Sequence, residues 1–308
     1  MPAVQGSGRF RALSIPELVD AAFTLFRRNF LLIVAIAALV EIPAALVYFV
    51  VSRSTDYAAH LDNLNQLSNA SSRQGGLTQS QRDQFTSDLT SLAVFFAATL
   101  VINYVVVQLL GRAATTRAVS DRYLDRPSSV GGSYRVALRA LLPLLGAGLI
   151  QLLTFGGVAA VVVLLAIAAG PSSAPAVLVL GAFLLVPLVV VYIRWSLVAQ
   201  TVVIEGLGAL RALGRSWALT RHRFWRTFWL YLLLGVITAI ISGVLTALVN
   251  AFIPGGSTST GALGAQAAVN AVVGVVVAPV TLIASTLYYY DLRIRGEAFD
   301  LQMLAESL

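Results

Sequence analysis

Apolar residues in this chain fall into six long blocks separated by polar segments. The blocks cover roughly residues 31–51, 89–110, 141–169, 176–198, 228–252 and 267–290. A hydrocarbon core about 30 Å thick needs about 20 apolar helical residues, so each block has the length of a transmembrane helix. The third is longer than one crossing requires, which leaves open a tilted span, an interfacial first turn or a re-entrant segment. The expected fold class is all-α: a polytopic membrane protein with six transmembrane helices.

The polar segments carry helical patterns of their own. Ser14-Ile-Pro-Glu17 reads as a capping box with proline in the first turn. After it Ile15, Leu18, Val19, Ala22 and Phe26 share one face, with Glu17, Asp20, Arg27 and Arg28 away from it. Such a helix is expected to lie in the membrane interface before the chain turns into the first span. Leu210, Leu213, Trp217 and Phe224 repeat the arrangement before the fifth span, and residues 129–142 do so more weakly before the third. The chain therefore reads as three units, each an interfacial helix followed by a hairpin of spans. Pro187 precedes Glu205 by the same separation as Pro279 precedes Glu297, so the second and third units share a kink and an acidic exit.

Between the first two spans Tyr57, Leu61 and Leu64 recur at helical spacing, and Thr78 and Gln81 form a second capping box ahead of Phe85, Leu89 and Leu92. Two helical extensions meeting at Arg73-Gln-Gly-Gly76 are expected, as a small polar hairpin. Asp56, Asp62, Asp83 and Asp88 within it read as a solvated surface.

Arginine placement gives the orientation. All 21 basic residues are arginine. Only Arg53, Arg73 and Arg82 fall on the side of the polar hairpin, and the rest fall on the opposite side. The positive-inside rule then puts both termini in the cytoplasm. The expected layout is one membrane domain over residues 1–308. Within it, residues 1–30 form a cytoplasmic amphipathic lead and 52–88 an outer hairpin. Residues 112–140 and 199–227 form cytoplasmic basic loops, and 291–308 a cytoplasmic tail. The all-arginine usage reads as GC-rich codon bias, which points to a bacterial cytoplasmic membrane. No cleavable signal is expected, because the first apolar block follows a long polar lead with no small-residue cleavage site.

Composition agrees: 58% of residues are hydrophobic and 11% charged, against about 25% charged in soluble domains. There is no cysteine, which removes disulfides, thiolate metal sites and a cysteine nucleophile. The net charge of +7 fits topology and contact with anionic lipid headgroups better than nucleic acid, which is not expected as a partner.

Few residues stand out as chemistry. Glu41 lies near the middle of the first span, two residues before Pro43. A carboxylate at that depth costs several kcal/mol, on the order of 2.5–3.5, unless protonated, paired or wet. It reads either as a proton or cation site or as a packing group. Arg194, near the end of the fourth span, either snorkels to the headgroups or faces a polar partner, with Asn103 and Gln151 as further intramembrane polar candidates. Arg211, Arg215, Arg221, Arg223 and Arg226, interleaved with Trp217 and Trp225, are candidate anionic-lipid contacts. The two histidines, His60 and His222, are expected on opposite sides of the membrane, and no phosphate-binding loop is present. No metal, cofactor or catalytic constellation is expected.

Several stretches carry a resemblance. They are Leu13-Ser-Ile-Pro-Glu-Leu-Val-Asp-Ala-Ala-Phe-Thr-Leu-Phe-Arg-Arg-Asn-Phe30, Val203-Ile-Glu-Gly-Leu-Gly-Ala-Leu-Arg-Ala-Leu-Gly-Arg-Ser-Trp217, Arg223-Phe-Trp-Arg226 and Tyr288-Tyr-Tyr-Asp-Leu-Arg-Ile-Arg-Gly-Glu-Ala-Phe-Asp-Leu301. Together they resemble bacterial integral membrane proteins known as glycerophosphoryl diester phosphodiesterase membrane domain proteins. That name comes from members similar to a membrane region fused to a phosphodiesterase. The resemblance implies the membrane fold but no catalytic residues, because no catalytic domain is expected after Leu308.

Three functions remain in view. The first is a non-enzymatic scaffold or regulator of membrane protein partners. The second is a transporter or lipid-handling protein using Glu41. The third is a membrane region associated with glycerophosphodiester hydrolysis.

Overall fold

The computed structural model describes residues 12–54, 57–74, 78–101, 109–169, 174–252 and 260–297, and the described residues are helical throughout apart from short turns. Five of these helical stretches are long and apolar enough to cross a membrane: Phe30–Ser54, Leu141–Val158, Val179–Glu205, Phe224–Leu248 and Gly264–Glu297. Large apolar side chains such as Leu31, Leu46, Leu153, Phe183 and Ile240 face outward on them. A water-soluble surface would not carry so much exposed apolar area, and the chain is a multi-pass membrane protein. The remaining expected span, at 89–110, includes residues 102–108, which lie outside the described residues.

The chain divides into two compact units. The first draws on Met1–Phe30, Arg112–Gly235 and Val280–Leu308. It opens with α1 (Ile15–Arg28), whose N-cap Ser14 and Glu17 form the reciprocal capping box read from the sequence. Such a cap contributes about 1 kcal/mol. Leu18, Ala22 and Phe26 are its buried stripe.

In the second unit, made of Leu31–Gly111 and Val236–Pro279, α2 (Phe30–Ser54) carries Pro43 in its interior. Helices α3 (Tyr57–Gln74) and α4 (Gln79–Val101) pack against each other. They form the expected hairpin, and Thr78 and Gln81 cap the start of α4 reciprocally: Thr78 N–H donates to Gln81 Oε1 at 2.9 Å and Gln81 N–H to Thr78 Oγ1 at 3.4 Å. Asp88 departs from the solvated surface expected of it. It is buried, and its Oδ1 lies 2.6 Å from His60 Nδ1. The hairpin buries a carboxylate because a ring nitrogen on the facing helix meets it.

The first unit continues with α5 (Arg112–Tyr123), α6 (Val130–Arg139), α7 (Leu141–Ala169), α8 (Ala174–Arg194), α9 (Val198–Glu205) and α10 (Ala209–Arg221). Helix α5 is the largest departure from the sequence reading. Residues 112–140 were expected as a basic loop, yet Ala113, Ala114, Thr115, Thr116, Ala118, Val119 and Ser120 of α5 are all buried. Small side chains let α6 and α9 approach closely, so a helix of low hydropathy becomes interior. Helix α7 is continuous, which settles the long third block as one helix; at 1.5 Å per residue its 29 residues span about 44 Å.

Helix α10 buries Ala212, Leu213, Ser216 and Thr220. The expected stripe is rotated: Leu210 is 76% exposed and Trp217 40%. The small residues face inward because α10 packs tightly on α7, α8 and α9. Gly206 ends α9 at φ +68°, a left-handed cap that glycine adopts without a Cβ penalty.

The chain closes with α11 (Phe224–Phe252), α12 (Thr260–Val272), a π-helical turn at Val273–Val277 and α13 (Ala278–Glu297). The last of these supplies the hub of the first unit.

Candidate functional site

Tyr288, Tyr289 and Tyr290 are consecutive and fully buried on α13. Successive helical residues point about 100° apart, so the three rings reach three different helices. Tyr288 OH lies 2.8 Å from Thr227 Oγ1 of α11. Tyr289 OH donates to Glu205 Oε1 of α9 at 2.5 Å. Tyr290 OH lies 2.6 Å from Ser120 Oγ of α5. One turn therefore satisfies three buried hydroxyls, each of which would be costly if left unpaired.

Two ionic clusters flank this hub. In one, Asp291 is 2% exposed. Its carboxylate accepts from Leu13 N–H at 2.8 Å, from Arg226 Nη2 at 3.1 Å and from Arg295 Nε at 3.0 Å. Arg226 and Arg295 also donate to the Leu13 carbonyl. Leu13, just before α1, is thus clamped through its backbone N–H and C=O together, and charge-assisted bonds of this kind are the strong ones.

In the other cluster, Arg215 donates through Nε to both oxygens of Glu205, at 3.1 and 3.0 Å, and reaches Glu297 Oε1 through Nη1 at 2.5 Å. Arg293 Nε donates to Glu297 Oε2 at 3.1 Å. The hydrogen bond that Arg215 donates to Glu297, with Glu205 adding to it, holds the Arg215 guanidinium above its ordinary pKa against the opposing effect of burial. The two acidic exits noted in the sequence, Glu205 and Glu297, therefore close on one arginine.

Arg194 sits differently. Its guanidinium carbon is 5.5 Å from the Trp217 ring centroid and 5.3 Å from that of Phe224. Its carbonyl accepts from Ser216 Oγ at 2.7 Å, which ties the end of α8 to α10. Gln151 Nε2 makes a long contact, 3.5 Å, to the carbonyl of the next residue, Trp195. The structure thus sets Gln151 against the backbone after α8, while the Arg194 guanidinium lies over Trp217 and Phe224; Asn103 lies outside the described residues.

Among the candidate lipid contacts, Arg215 and Arg226 are committed to internal carboxylates. Arg211 and Arg221 are exposed, Arg223 is half-buried, and Trp225 is 67% exposed.

Glu41 belongs to the second unit. It is half-buried on α2 and seated against Gly274 in the π-helical turn. A Cβ built on Gly274 would fall 2.3 Å from Glu41 Cδ, so any larger residue there would push the carboxylate aside. A π-helical turn breaks the regular backbone ladder, and such turns recur at functional sites.

Periodicity and charge placement in the sequence do not mark Asp291 and the tyrosine run as a structural hub. The available signal was three aromatic hydroxyls followed at once by an acid inside an apolar helix. Among the described residues, no three His, Asp or Glu side chains gather as a metal site.

No curated protein and no solved structure matches the chain. A family model described as a domain of unknown function, DUF7847, matches residues 13–292, a stretch that contains α1, the clamped Leu13 and the tyrosine hub. The chain belongs to the DUF7847 family.

Proposed function

We propose that this protein is a non-enzymatic scaffold or regulator in a bacterial cytoplasmic membrane, with six spans and both termini in the cytoplasm. The observation that carries the reading is the closed state of the charged groups in the first unit. Glu205, Glu297 and Asp291 are each held by arginine, and catalysis needs a group free to exchange a proton or attack. What the unit offers outward is a binding surface: Leu210, Arg211, Trp217, Arg221 and Trp225 are all exposed. Native mass spectrometry of full-length protein, gently extracted from its own membranes, tests this. A stoichiometric protein companion is expected. A protein that flies alone under every gentle extraction would sink the reading.

A second reading, transport or lipid handling, draws on Glu41 beside the π-helical turn. Its probe is proton flux into dye-loaded proteoliposomes. Flux that persists unchanged in Glu41→Gln would remove it. The resemblance to membrane regions fused to phosphodiesterases supplies a third, association with glycerophosphodiester hydrolysis. That reading requires turnover of glycerophosphocholine by the purified chain.

A further inference from the structure

Arg194 is an arginine held in place with no acid to answer it. Arg117, Arg215, Arg226, Arg293 and Arg295 of the same unit each meet a carboxylate within salt-bridge distance. Arg194 meets none among the described residues. Its Nε and Nη1 are buried without a hydrogen-bond partner. The faces of Trp217 and Phe224 orient the guanidinium, but a ring quadrupole supplies only partial negative charge. Arg221, one turn beyond Trp217 on α10, carries a second positive charge at the same end of that helix. A buried guanidinium without an anion is unfavourable unless something else brings the negative charge.

The surroundings indicate what brings it. Arg194 ends α8, one of the apolar spans. Trp217 beside it and Trp225, whose ring meets Phe224, are exposed, and tryptophan at such a place marks the headgroup level of a bilayer. Arginine matches phosphate oxygens in charge and in donor geometry.

We propose that Arg194, with Arg221 and the Trp217–Phe224 ring pair, forms a phosphate site for the headgroup of an anionic phospholipid. This rests on the reading that α10 lies at the membrane surface, and it goes beyond the scaffold reading by naming a ligand. The ligand is a lipid rather than free phosphate because the rim is aromatic and apolar.

The test is lipid retention by the full-length protein after equilibration with equal amounts of phosphatidylglycerol and phosphatidylcholine, read by native mass spectrometry. Wild type is expected to retain phosphatidylglycerol selectively. Arg194→Gln should lose that selectivity about five- to ten-fold, and Arg194→Lys should keep part of it. Arg139→Gln, an exposed charge on α6, should leave it unchanged. Selectivity retained in Arg194→Gln, or an equal loss in Arg139→Gln, would overturn the site. Displacement of phosphatidylglycerol from wild type by millimolar inorganic phosphate would overturn its assignment to lipid. If Arg194→Gln fails to fold, Arg221→Gln carries the test: a several-fold loss is expected, and wild-type selectivity would overturn the proposal. Each readout concerns lipid alone, so it stands apart from whether a protein companion exists.

Discussion

Asp291 holds one buried negative charge against two guanidiniums and a backbone N–H, and neutralising it would strand both arginines. Removing one partner of a buried ionic cluster typically costs about 3–5 kcal/mol. Asp291→Asn is therefore expected to lower unfolding stability by about 3 kcal/mol in a denaturation series of the detergent-solubilised protein. Asp121→Asn is the contrast. Asp121 is buried as well, but it meets one guanidinium, that of the half-exposed Arg117 one helical turn away, so its loss should cost less, about 1–2 kcal/mol. Equal effects would show that the α13 cluster is not the tighter one. The Arg215 guanidinium adds no pH dependence in the ordinary range: its folded pKa is raised, so its side of the pairing is lost only as pH rises through the folded value. Acid acts on the pairing through its partner Glu297 instead.

The helices divide by how openly their sequences declared them. Spans α2, α7, α8 and α11 are continuous apolar runs, and lipid makes such runs unambiguous because every backbone group must be satisfied within the helix. Helix α1 was equally legible from Ser14, Pro16 and Glu17. Helix α5 was not, because Ala, Thr and Ser between arginines read as loop, and only close packing makes them interior. The partners of Glu205 and Glu297 were hidden for a related reason: an equal spacing after proline says nothing about which arginine both will meet. Arg194 was singled out, yet its setting between two rings depends on the turn at 195–197, which no periodicity announces. Where a local signal did exist, its energetic role can be isolated. Ser14→Ala removes the side-chain oxygen that accepts from Glu17 N–H and should cost about 1 kcal/mol. Hydrogen exchange should then quicken in the first turn of α1 and stay unchanged in α10. Uniform quickening across both would mean the cap does not act locally.

Six spans with both termini inside remain the layout proposed for the entire chain, and its freedom from cysteine makes a direct map practical. Single cysteines replace Asp83 on α4 and Arg211 on α10, both exposed positions. An impermeant thiol reagent added to intact cells should label Asp83→Cys and spare Arg211→Cys until the membrane is opened. Labelling of both from outside would invert or break the proposed topology. The tyrosine run of α13 also bears on how such a chain is made. Ser120, Glu205 and Thr227 leave the ribosome well before Tyr288, Tyr289 and Tyr290, the side chains that will answer them. Until α13 is synthesised, a half-made protein holds three helices whose inward polar groups lack the tyrosine hydroxyls that complete them. Synthesis of α13 is thus the event that closes the first unit, and a chain cut short before it would display those groups to the proteases that clear unfinished membrane proteins.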